Sequence, residues 1–284
     1  MMNKVLIMTD STADLSKDFR ESYNILSIPL YVRFDDEIYL DGVDLTPEEL
    51  YHKVTEKNMM PKTSAVSPGD FISFFSKYLT DGYDLVYIGI GAKLSATHQS
   101  ALLAKDDVNS ERIHIIDSKN LSSGIALLVL KACDLRNQGK SAVEIKDEIE
   151  RIIPNVRSQF AIQTLDYLHK GGRASGTAKL VGTILGIKPI IKVKNGSLDI
   201  YKKPVGKMSR ALDIMLEDYF KEGENLDLDY VMITHSLANK QAIYMIEKIK
   251  EKTKPLHIIE SKAGCVISSH CGAGTIGLLY IVKQ

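Results

Sequence analysis

Four hydroxyl-rich turns are the stretches of this chain best suited to chemistry. The first is Asp10-Ser11-Thr12-Ala13-Asp14-Leu15 and the second Lys62-Thr63-Ser64-Ala65-Val66-Ser67-Pro68. The third runs Leu94-Ser95-Ala96-Thr97-His98-Gln99-Ser100-Ala101, and the fourth is Asp117-Ser118. A hydroxyl both donates and accepts hydrogen bonds, so several on one rim suit a polar ligand group. Taken singly, each is better explained as the N-cap of the next helix, because Ser, Thr and Asp are preferred there. Other chemistry has less support. No Gly-x-x-x-x-Gly-Lys-Ser/Thr, His-Glu-x-x-His, Gly-x-Ser-x-Gly or Cys-x-x-Cys pattern occurs. Gly89-Ile90-Gly91 follows a strand pattern, but Leu94 stands where a dinucleotide loop needs its third glycine. The seven histidines are scattered, and Cys265 and Cys271 have no partner pair, so a zinc site is not expected.

The elements that would position these turns can be read from periodicity. Strand patterns cover residues 5–8, 25–32 (interrupted by Pro29), 85–90 and 113–116. Helix patterns cover 16–21, 47–56, 68–79, 95–108, 122–136 and 142–152. Thr46, Pro47 and Glu49 form a capping-box start, and Ser67 caps the helix that opens at Pro68. Strands alternating with such helices predict a doubly wound, mainly parallel sheet, whose ligand crevice lies at the strand C-terminal ends. Three of the four hydroxyl turns follow a strand directly and should gather there. Past Pro154 the rhythm changes. Strands are expected over 156–162, 187–193, 198–201, 230–234, 258–259 and 276–282, and helices over 175–185, 207–220 and 240–252. A loop is expected over 170–173. Asn195-Gly196 signals a hairpin. The expectation is an α/β domain over 1–153 carrying the rim and an α+β domain with a mixed sheet over 154–284.

The 284 residues carry 36 basic and 36 acidic side chains, 44% apolar residues and three cysteines. Zero net charge removes the global footprint of a nucleic-acid binder. No apolar run approaches the ~20 residues of a membrane span. The opening Met1-Met2-Asn3-Lys4-Val5-Leu6-Ile7-Met8 reads as a first strand and not a signal peptide. An odd number of cysteines suits reduced thiols, so a cytoplasmic protein is expected.

In order and spacing, these turns resemble the DegV family of bacterial fatty-acid-binding proteins, whose best-understood members are the FakB subunits of fatty acid kinase. The resemblance runs from Thr9 to about Tyr280. It is carried by Asp10 to Leu15, Lys62-Thr63-Ser64, Leu94-Ser95-x-Thr97-x-Gln99-Ser100-Ala101 and Asp117-Ser118. Leu165-x-Tyr167-Leu168-x-Lys170-Gly171-Gly172-Arg173, Ile187-Lys188-Pro189-Ile190 and His270-x-Gly272-x-Gly274-Thr275-x-Gly277 complete it. It implies one long-chain fatty acid, such as palmitate, held between two domains, with no other cofactor and no metal. Thr63 and Ser95 would hydrogen-bond the carboxylate with His270 close by, and Ser64, Thr97, Ser11, Ser118 and Arg173 would complete the rim. The protein would be a carrier that presents the carboxylate to an ATP-dependent kinase subunit making acyl phosphate. The chain departs from the commoner pattern at Ala96, His98 and Ala273, which bear on pocket shape. It departs again at Val205-Gly206-Lys207-Met208, which bears on kinase docking.

Several residues admit a plainer reading. His270, in what reads as a glycine-rich loop, is by itself a surface histidine, and His235 is a satisfied structural one. Arg173 is either an exposed loop cation or a ligand-end contact. Residues 188–210 hold seven basic residues against Asp199 alone. They form either a solvated face or, through Lys202, Lys203 and Lys207, a docking patch for the kinase. Met8, Met208, Met215, Met232 and Met245 are expected in the core. Two other functions compete: a small-molecule enzyme using Ser95, Asp117 and His270, and a regulatory protein using the basic hairpin.

Overall fold

The computed structural model describes residues 4–173 and 186–283, so the helix expected over 175–185 lies outside the described residues. β1 (Val5–Asp10) pairs in parallel with β2 (Ile25–Ile28) and β6 (Asp84–Gly89). β7 (Ile113–Asp117) completes a four-stranded parallel sheet in the order β2-β1-β6-β7. Pro29, which has no N–H to donate, does more than interrupt a strand. After it, β3 (Tyr31–Phe34) leaves for a separate antiparallel sheet with β4 (Glu37–Leu40) and β5 (Lys62–Ser64), in the order β4-β3-β5.

The helices of this half are α1 (Lys17–Ser22), α2 (Pro47–Lys57), α3 (Pro68–Thr80), α4 (Thr97–Val108), α5 (Ser123–Asn137) and α6 (Ala142–Ile152). Thr46 with Glu49, Ser67 with Asp70 and Ser141 with Glu144 form complete capping boxes at α2, α3 and α6.

The second half builds one six-stranded mixed sheet, in the order β10-β9-β8-β13-β11-β12. Its strands are β8 (Val156–Ala161), β9 (Ile190–Lys194), β10 (Ser197–Lys202), β11 (Leu226–Ser236), β12 (His257–Lys262) and β13 (Thr275–Val282). Asn195 (φ 51°) and Gly196 (φ 78°) both take the left-handed conformation that a two-residue hairpin turn requires. Around the sheet lie α7 (Asp166–Lys170), α8 (Met208–Lys221), α9 (Asn239–Lys252) and α10 (Cys265–Cys271). α8 and α9 cover its outer face.

Between the two large sheets lies α5. Ten of its fifteen residues are buried, too many for a surface helix. Ile125 to Leu130 share one core with Ile7, Val86 and Ile88 of the parallel sheet and with Met232, Leu279 and Ile281 of the mixed sheet. The opposite face of the parallel sheet packs Met8 and Tyr87 on Phe71 and Phe75 of α3.

Two short helices escape the sequence reading. α7 covers Lys170, placed in a loop by composition, and α10 covers His270, likewise expected in a loop. α10 has no side-chain cap of its own. Its first N–H groups are held by distant acids: Gly264 N donates to Asp14 Oδ1 (2.8 Å) and Cys265 N to Asp41 Oδ1 (2.6 Å).

Candidate functional site

Thr63 sits mid-strand in β5, in register with Val32 of β3. Its Oγ1 lies 2.8 Å from His270 Nε2, at the far end of α10. His270 fits because Gly171 faces it: a Cβ there would fall 2.1 Å from His270 Nδ1. That Nδ1 is buried with no partner among the described residues. A buried acceptor without a donor is cheaper than a buried N–H without an acceptor. The proton therefore belongs on Nε2, which donates to Thr63 and leaves the Thr63 hydroxyl hydrogen free. Burial, and secondarily the Arg173 guanidinium, hold the imidazole pKa down at about 4. At neutral pH the ring is an uncharged donor.

Ser95 lies in the loop between β6 and α4. Gly91 lets this loop approach the one after β7: its N–H donates to Asn120 O (2.8 Å), and a Cβ would meet that backbone at 3.1 Å. Ser95 Oγ accepts from Thr97 N (3.2 Å) and lies 2.9 Å from Thr97 Oγ1. Arg173 joins the halves, donating from Nη1 to Gly171 O (2.8 Å) and from Nε to Leu94 O (3.3 Å).

Thr63, Ser64, Ser95, Arg173 and His270 share one cavity of about 80 Å³. Its surface is mainly apolar, from Leu30, Ile90 and Leu121 on one side and Phe160, Leu198 and Leu279 on the other. Ser122, Ser158 and Thr234 also line it, but their hydroxyls are engaged with Asp14, Asn120 and Ser123. Arg173 is the one cation among the described lining residues. The arrangement is a mainly apolar slot with the Thr63, Ser64 and Ser95 hydroxyls in its lining, suited to an amphiphile and not to a fully polar ligand.

A family model described as "Uncharacterised protein, DegV family" matches residues 4–283. The chain belongs to the DegV family. A DegV domain-containing protein of Clostridium acetobutylicum is 39% identical over 282 residues, 99% of this chain and 100% of its own length. The solved structure of a DegV family protein from Thermus thermophilus, described as binding fatty acid, matches with a TM-score of 0.92. It has 28% identity and covers 98% of this chain and 99% of its own. A stearic acid-binding protein from Eubacterium ventriosum matches with a TM-score of 0.86 and 26% identity, covering 98% of both chains.

In this DegV protein three residues of the expected rim do not line the cavity, and each is engaged elsewhere. Thr97 is fully buried behind Ser95. Ser11 Oγ accepts from Leu30 N (3.0 Å) and faces a separate pocket. Ser118 Oγ accepts from Asn120 N (3.1 Å) and fixes the turn after β7. Of the three, only Ser118 serves a local turn; Ser11 reaches Leu30 nineteen residues on, and Thr97 bonds Ser95 without capping α4. Ser95, Asp117 and His270 are not assembled into a nucleophile–base pair. Ser95 is bonded to Thr97, His270 to Thr63, and Asp117 Oδ1 accepts from Ala92 N (3.0 Å) and Lys119 N (2.9 Å). His235 is tied at both nitrogens, to Ala238 N and Glu260 Oε1. The five methionines named above are buried and none lines the cavity. In the basic segment, Lys192 and Lys202 both pair with Asp218 at 3.2 Å. Lys203 and Lys207 have no ion pair among the described residues.

Proposed function

We propose that this DegV protein binds one long-chain fatty acid between its two domains, 1–153 and 154–284. Thr63 and Ser95 donate to the carboxylate, His270 orients Thr63, and Ser64 and Arg173 complete the head-group end. The observation that carries this reading is the pairing of Thr63 with a neutral His270 at one end of a mainly apolar cavity. Energetics support the division of labour. Burying ~15 methylenes at ~0.8 kcal/mol each yields on the order of 12 kcal/mol gross. A carboxylate loses several kcal/mol on leaving water unless it is hydrogen-bonded. Each hydroxyl donated to it returns ~1.5–3 kcal/mol. The tail supplies affinity and the hydroxyls supply orientation.

Thr63 and Ser95 are half-buried, so a head group there stays within reach of a partner. That suits a carrier which presents the carboxylate to an ATP-dependent fatty acid kinase subunit and performs no chemistry itself. Denaturing the purified protein and extracting it into organic solvent tests the reading. About one acyl chain per protein is expected. Protein that yields no acyl chain, and that also fails to bind added stearate, would overturn it.

A further inference from the structure

β13 contributes Thr275, Gly277 and Leu279 to the cavity, alternate positions on one strand face. Thr275 marks the head-group end: its hydroxyl donates to Cys271 O (2.8 Å), next to His270. Four residues on, roughly 13 Å at ~3.3 Å per residue, stands Leu279. The next residue on that face, Ile281, packs in the core with α5 and does not line the cavity. Along this strand the cavity therefore stops at Leu279.

Gly277 lies in register with Phe160 of β8 and Thr234 of β11. Its missing side chain leaves a dent in the sheet between them. A methyl group built on Gly277 would lie 3.1 Å from Leu279 Cδ1, closer than carbon atoms pack comfortably. The Leu279 side chain thus leans back over the dent, and a methyl group at 277 would make it give way by a few tenths of an ångström. An acyl chain that enters at Thr63 and follows this strand meets Leu279.

We propose that Leu279, leaning over the bare Cα of Gly277, is the end wall of the acyl cavity and sets the chain length this protein accepts. The proposal rests on the fatty-acid reading above. Titrating wild type, Gly277→Ala and Leu279→Ala with saturated acids from C12 to C20 tests it. Leu279→Ala removes three carbons from the wall, so the preferred acid becomes about two carbons longer. Gly277→Ala pushes Leu279 forward, so the preferred acid becomes shorter, with about fourfold weaker binding per methylene shut out. The double variant returns toward wild type. Thermal unfolding monitors the fold, and Leu279→Val replaces Leu279→Ala if the latter does not fold. Wild type that binds these acids, with variants that keep its length optimum, overturns the end wall and leaves the fatty-acid reading standing. Wild type that binds none of them overturns both.

Discussion

At its N-terminus α10 is gripped by carboxylates, and at its C-terminus it offers an imidazole. Asp14 accepts from Gly264 N and the Ser122 hydroxyl, and Asp41 accepts from Cys265 N. His270 has Thr63 and no second partner among the described residues. Burial pushes all three groups toward neutrality: it raises the two carboxyl pKa values, Asp14 well above the ordinary range, and lowers that of His270. The difference is sharpest between Asp14, engaged at both oxygens, and His270; Asp41 Oδ2, like His270 Nδ1, has no hydrogen-bond partner among the described residues. The acids close the hydrogen bonds of a helix start that its own sequence cannot cap. The histidine ends a relay through Thr63, whose hydroxyl has no further protein partner among the described residues. Closed polar groups hold the two halves of the chain together, and open ones are free for a ligand. Substitutions at the two ends should therefore separate stability from binding.

The largest effect is expected at the closed end. Asp14→Ala strips the acceptor from two buried donors, each costing ~1–3 kcal/mol when left unpaired, so a loss of roughly 2–5 kcal/mol in denaturant unfolding is expected. A loss below ~1 kcal/mol would mean the clamp is not closed as described. His270 predicts a pH dependence. Its folded pKa of about 4 lies below the unfolded value of ~6.5, so its contribution is fully present above pH 6.5 and is lost as pH falls through 4. That loss is about 3 kcal/mol. The raised acids have the opposite sign, so the comparison of wild type with His270→Gln isolates the histidine. The stability gap between them should change between pH 7 and pH 4, and a constant gap would place the ring in water. At the open end, Ser95→Ala should weaken stearate binding by ~1.5–3 kcal/mol, with unfolding shifted by no more than ~1 kcal/mol. Reversing charge at Lys203 and Lys207 should have the smallest effect. It should slow acyl phosphate formation by a kinase subunit, at low salt above all, without changing bound lipid. An unchanged rate would mark the patch as a solvated face.

How much of this was legible depended on whether the cause was local. The capping box at Thr46, the cap at Ser67, the Asn195-Gly196 turn and the switch from parallel to mixed sheet are written in neighbouring residues, and all were read. α10 was not, because Val266, Ile267 and two serines are poor helix formers and the helix start is capped from Asp14 and Asp41, more than 200 residues away. The same long-range dependence hid the bond between Thr63 and His270. Ser11 and Ser118 erred the other way. Their motif suggested a shared rim, while Ser118 fixes its own turn and Ser11 holds Leu30 N, nineteen residues on. The apolar cavity walls carry no signal distinct from core, and Gly277 in an otherwise apolar final strand was the one residue that could have marked the dent.

The central claim is that the open end holds a carboxylate. Titration of delipidated protein with stearate, wild type against the Thr63→Ala/Ser95→Ala double variant, tests it most directly. The account predicts saturable binding of one acid per wild-type chain and binding at least tenfold weaker in the double variant, with unfolding little changed. Equal affinity in the two proteins would contradict it.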